Sequence, residues 1–232
     1  MICPYEVPNN EELDYGRFER SHREGRRLVE GWANRAYREL DCDAQEAFEP
    51  FIFLWIAFNA WAACVTGEDR DANMIRRVAN CPKTRDLFSK LLEEDDDFQR
   101  TVQSFADLWP IFKAQDIRRA GHFGHISDDR REVIEHYRGI EGIAYEPRCA
   151  FFHQDAAGAV PVDWPHCLNT IYRVRCNLFH GEKSPHSEMD ARVVKNAFDT
   201  LAHFFLRTAI IPPNNRIHQT GQRLRGRPAG EP

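Results

Sequence analysis

Tyr172-Arg-Val-Arg-Cys-Asn-Leu-Phe-His180-Gly-Glu-Lys183 is the stretch from which the rest of the chain can be organised. Upstream of it, Asp163 is placed to cap a helix, Pro165 suits the first turn, and Gly181 follows the last periodic residue as a stop. Cys167, Ile171, Val174 and Leu178 recur at the spacing of one helical face, so the segment 164–180 reads as an amphipathic helix. Arg175 falls about 40° from Ile171, beside that apolar stripe, whereas Arg173 is expected on the solvent side. An arginine at the edge of a core needs a partner or a task. The partner can be an acidic residue such as Asp190. The task can be a phosphate, which a guanidinium grips with two parallel hydrogen bonds without ever losing its charge. His180, at the end of the same helix, takes or gives a proton near neutral pH.

Working outward, the next helix is equally legible. Ser187 is a good cap, Asp190 complements the first turn, and Val194, Ala197, Leu201 and Phe205 share one face with Asp190, giving a helix over 188–208. That placement puts Asp190 near the loop from His180 to Lys183, where it can cap its own helix, orient His180 or pair with Arg175. Upstream, Asp43 and Glu46 resemble a capping box that opens a helix over 44–66. Phe51, Leu54, Trp55, Phe58, Ala62 and Val65 form its buried face, Pro50 lies in its early turns, and Thr66-Gly67 ends it. Asn59 is a polar residue on this apolar helix, expected either to satisfy its amide in the core or to reach a substrate. Phe18, Val29, Trp32, Ala36 and Leu40 indicate helix over about 11–40, interrupted by three glycines.

The fold class is therefore all-α: one helical-bundle domain over 1–211, with an insert of short helices and loops over about 68–162 and a disordered basic tail over 212–232. Gly139 to Val162 is rich in Gly, Ala and Pro and is expected to loop across the surface. The tail carries Arg216, Arg223, Arg225 and Arg227 with little apolar content.

Composition narrows the function classes. A net charge of −5 argues against broad nucleic-acid affinity by charge alone, although a local basic cleft is compatible with it. The apolar run Phe51 to Val65 is shorter than a membrane span and is expected in a core, with no membrane partner. The amino terminus lacks the basic and apolar regions of a secretory signal, and seven scattered cysteines form no disulfide framework, so a cytoplasmic setting is expected. No Gly-rich phosphate loop or dinucleotide fingerprint occurs. Cys149 and His153 stand four apart, as do Cys176 and His180, and two such pairs can supply four zinc ligands where the segments meet. Pro147 and the Gly/Pro-rich sequence after His153 argue against a helical turn between Cys149 and His153, and no Cys-x2-Cys is present. No metal and no cofactor is expected.

Arg175-x4-His180 in its helical context resembles the Arg-x4-6-His motif of the HEPN superfamily (higher eukaryotes and prokaryotes nucleotide-binding), whose catalytic members are metal-independent ribonucleases. Leu54-Trp-Ile-Ala-Phe-Asn-Ala-Trp61 looks like the core helix that precedes the motif in some bacterial members, and the helix after Ser187 matches the one that follows it. The resemblance covers about a quarter of the chain. It departs from the pattern at one point: many members carry Asn directly after the motif arginine, where this chain has Cys176 and only then Asn177. The resemblance implies an up-and-down bundle, a homodimer and an endoribonuclease acting on RNA through 2′-hydroxyl attack, with Arg175 and His180 as catalytic residues. Asn177, Lys183, Asp190 and Asn59 are then candidates for contacting substrate or orienting His180. It also suggests a toxin or defence effector held by an antitoxin or other regulatory protein. The alternative is a non-catalytic module of the same fold that binds RNA, nucleotide or a protein.

Overall fold

The computed structural model describes residues 3, 5, 12–122, 126–155, 158–181, 183, 184 and 186–213. The expected basic tail lies, from residue 214 onward, outside the described residues. Among the described residues the protein is a mainly helical, all-α bundle with one small two-stranded ribbon. In chain order it comprises α1 (Tyr15–Arg20), α2 (Arg23–Tyr37), a 3-10 turn at Ala44–Glu46, α3 (Phe48–Thr66), α4 (Asp71–Asn80), α5 (Pro82–Glu94) and α6 (Asp96–Ala106). There follow β1 (Ile111–Phe112), α7 (Ala114–Arg119), α8 (Arg130–Arg138), β2 (Tyr145–Glu146), α9 (Ala150–Asp155), α10 (Trp164–Phe179) and α11 (Glu188–Thr208).

The ends of the long helices follow their local chemistry. Asp163 accepts from the His166 backbone N–H to cap α10, and Ser187 accepts from Asp190 to cap α11. Gly67, at φ 69°, closes α3 in the left-handed conformation, its N–H bonded to the Ala63 carbonyl. The expected first helix is two. The break falls at Ser21 and His22, not at a glycine: the Ser21 hydroxyl donates to the Phe18 carbonyl and the His22 Nδ1 accepts from the Glu24 N–H. Side chains that satisfy helix ends locally make a break inexpensive there. Asp43 makes no side-chain cap bond; a 3-10 turn precedes α3, which begins at Phe48.

The core is aromatic. Trp55, Phe58, Trp61 and Phe205 pack together between α3 and α11, and Phe88, Phe98, Trp164 and Phe204 form a second group between α5, α6, α10 and α11. α3 is long and apolar enough to cross a membrane, yet it packs against α2, α4 and α11. Within the segment read as an insert, Met74, Ile75, Val78, Phe88, Phe98, Val102 and Phe105 bring α4, α5 and α6 into the main core. Each of these helices has one apolar face that only the bundle can bury. A smaller cluster, Phe112, Tyr137, Ile143 and Phe151, holds the β1–β2 ribbon. The stretch 139–162, expected as loop, contains β2 and α9, because Tyr145 and Phe151 pack into that cluster.

Candidate functional site

α10 carries the motif, and its burial sorts the candidate residues by face. Cys167, Ile171 and Val174 enter the core; Arg175 lies at the core's edge with 22 % of its side chain exposed. Its guanidinium Nη1 stands 3.1 Å from the Asp71 carboxylate, at the first turn of α4. The charge also sits 4.5 Å from the centre of the Phe179 ring and 5.6 Å from that of Trp55. The Tyr172 ring stacks on Trp55 at 5.9 Å. Burial first, then the Cys176 thiol and the Asp71 carboxylate, push the Tyr172 hydroxyl up to about 12, against the pull of Arg175. The partner of Arg175 is therefore Asp71 and not Asp190, one of the acidic residues the sequence offers. Sequence reasoning missed it because Glu68-Asp69-Arg70-Asp71 looks like any solvated helix start.

His180 is the C-cap of α10, exposed, with φ −90° and ψ 9°, and Gly181 turns the chain away at φ 70°. Around the helix axis it lies roughly 140° from Arg175 and about 60° from Asn177. Among the described residues no hydrogen bond or ion pair links Arg175 to His180. Phe179, between them, is 48 % exposed and offers one face of its ring to the Arg175 charge.

Asn177, a candidate for contacting substrate or orienting His180, is engaged with the protein's own backbone. It is 3 % exposed; its side-chain oxygen accepts from the Ala114 N–H at 3.2 Å and its amide donates to the Phe112 carbonyl at 2.8 Å. This amide clamps the end of β1 and the start of α7 onto α10, which is what a buried amide needs to offset its lost hydration. Asp190 likewise holds its own loop, accepting from the Lys183 ammonium and, at 3.0 Å, from the Ser184 N–H. Among the described residues no hydrogen bond or ion pair links it to Arg175 or His180. Asn177, Lys183 and Asp190 line a cavity of about 290 Å³ that also meets Arg130, whose guanidinium donates to the Leu108 and Pro110 carbonyls. Asn59 is half-buried rather than enclosed. The candidate set thus divides: Arg175 with Asp71, Tyr172, Trp55 and Phe179 on one side of α10, and Asn177, Lys183 and Asp190 on another.

The Tyr172 shift has a consequence for stability. A tyrosine ionises near pH 10 in an unfolded chain and here only near 12, so the fold favours its neutral form. That contribution is full below about pH 10 and is lost as pH rises toward 12. Burial shifts Tyr15 and Tyr37 in the same direction. Urea midpoints are expected to fall from about pH 9 to about pH 11, and to fall less in Tyr172→Phe. Equal slopes in the two proteins would contradict this account of Tyr172.

Compared with protein-family models, curated proteins and solved structures, the chain matches none.

Proposed function

We propose that the protein is a metal-independent endoribonuclease whose site is assembled at the C-terminal end of α10, of the kind that the HEPN resemblance suggests. The observation that carries this reading is an always-charged arginine fixed at the rim of the core by Asp71, Trp55 and Phe179, with an exposed histidine at the end of the same helix. In the reaction, the ribose 2′-hydroxyl attacks the adjacent phosphorus and the bond to the 5′-oxygen breaks, giving a 2′,3′-cyclic phosphate and a 5′-hydroxyl. His180 accepts the 2′-hydroxyl proton or protonates the leaving 5′-oxygen. Arg175 stabilises the added negative charge on the pentacoordinate phosphorus. The exposed ring of Phe179 offers a surface for stacking a base.

The angular separation of Arg175 and His180 supports a two-fold dimer, in which one protomer's arginine works with its partner's histidine across a shared groove. A second reading, an RNA-binding or protein-binding module without cleavage, is favoured by the Asp71 ion pair, which already satisfies part of the Arg175 guanidinium. One experiment separates the two. The purified chain is incubated with end-labelled mixed-sequence RNA in buffer without added divalent cations, and the product ends are identified. Fragments with 2′,3′-cyclic phosphate ends are expected. RNA that is bound yet stays intact would favour the module.

A further inference from the structure

The opposite end of α10 carries a cluster that the Arg175–His180 end does not use. Cys3, Cys149 and His166 are buried, at 2 %, 2 % and 1 % exposure, and both sulfurs lie 3.2 Å from the His166 Nε2. The ligand atoms of Cys3, Cys149 and His153 all fall within 4.8 Å of one another. The His153 Nε2 is buried with no hydrogen-bond partner among the described residues. The other nitrogen of His166, Nδ1, stands 2.6 Å from the Asp163 carboxylate. A carboxylate acceptor places the ring proton on Nδ1, so Nε2 turns its lone pair toward the two sulfurs. The two sulfurs also hydrogen-bond each other, so the unused group beside them is the His153 nitrogen. Two sulfurs and two imidazoles, the ligand types of a zinc site, thus gather in one place.

We propose that Cys3, Cys149, His153 and His166 form a tetrahedral Cys2His2 site for Zn2+. In such a site sulfur–nitrogen neighbours stand roughly 3.5 Å apart, close to the 3.2 Å between each sulfur and the His166 Nε2. Asp163 is the carboxylate that orients a ligating histidine, on the pattern common to zinc proteins. The turn that opens α9 supplies two ligands: the His153 N–H bonds to the carbonyl of Cys149, the residue before α9, at 3.0 Å, the helical turn that the flanking prolines and glycines argue against in sequence. Cys176 and His180, whose spacing matches that of Cys149 and His153, take no part, because those residues stand at the far end of α10. His166 and His180 are 14 residues apart along it, about 20 Å.

Four protein ligands leave no open position, so the role is structural. The ion staples the segment at Cys3 and the turn of α9 to the motif helix. Tyr5 extends this seam, its ring edge-on to His166 at 4.7 Å and its hydroxyl donating to Glu146. The series Cys149, His166, Asp163 also has the order of a nucleophile, a base and an orienting carboxylate. But the Cys149 sulfur is buried and closed to substrate.

The test begins with the full chain, produced without a polyhistidine tag and analysed by elemental mass spectrometry. About one zinc per chain is expected. After chelation and refilling with Co2+, the visible bands of a tetrahedral ion and a sulfur-to-metal charge-transfer band should appear. A Cys149→Ser/His166→Gln variant should hold less than about a tenth of a zinc per chain. His153→Gln, with three ligands intact, should bind zinc but release it to a mild chelator, and Cys176→Ser should retain it as the wild type does. A folded wild type with no zinc and no Co2+ bands would overturn the proposal, and so would full zinc occupancy in the double variant. The Co2+ titration of the wild type does not depend on any variant folding.

Discussion

Replacing His180 with alanine is expected to lower RNA cleavage by about 10²–10⁴-fold, the usual contribution of a positioned general acid or base. His180 is exposed at a helix end and stands outside the core. Its loss should therefore leave the thermal midpoint and RNA affinity nearly unchanged, which separates a chemical role from a structural one. Arg175→Ala should cost about 10²–10³ in cleavage through the lost charge on the transition state. It should also cost about 1–3 kcal/mol of stability, because Asp71 is left without its partner and Trp55 without its covering cation. A mixing experiment then tests the dimer. If each site takes its arginine from one protomer and its histidine from the other, exchanged Arg175→Ala and His180→Ala chains form heterodimers with one intact site. Activity should recover to at most about a quarter of the wild-type value. No recovery would place both groups in one chain, and undiminished cleavage by the double variant would remove both from the mechanism.

Asn177→Ala is expected to destabilise the protein by about 2–4 kcal/mol, since the Ala114 N–H and the Phe112 carbonyl each lose a partner where water has little access. The measure is the free energy of urea unfolding. Asn177→Asp should also destabilise, because a carboxylate cannot donate to the Phe112 carbonyl. Chemical shifts or exchange protection around β1 and α7 should change with it, while cleavage per folded molecule stays close to wild type. A variant of full stability but poor RNA binding would return Asn177 to the substrate side.

These two residues show what one helix can and cannot disclose in sequence. Arg175 and Asn177 are two apart, and both look polar within an apolar pattern. The 3.6-residue period places them on different faces, but says nothing of what covers each face. The arginine meets Asp71 from a helix about a hundred residues earlier; the asparagine meets a two-residue strand that has no periodic signature at all. Asp71 and Tyr172 were missed for the same reason, and so was the joining of Cys3 to His166. None of these contacts is between residues close in sequence, apart from those within α10 itself.

The long helices were legible because their causes are local. Asp163, Ser187 and Gly67 satisfy backbone groups within a turn of themselves, and the faces of α3, α10 and α11 repeat with the period of the helix. The all-α class, the ends of α10 and α11 and the core residues of α3 therefore followed from the chain alone. The break at Ser21, the role of α4 to α6 in the core, the ribbon, the partner of Arg175 and the clustering of Cys3, Cys149, His153 and His166 were decided only by tertiary structure. Burial, ion pairing and metal-ligand geometry depend on which surfaces meet, and that is set when amphipathic faces from distant segments are removed from water together.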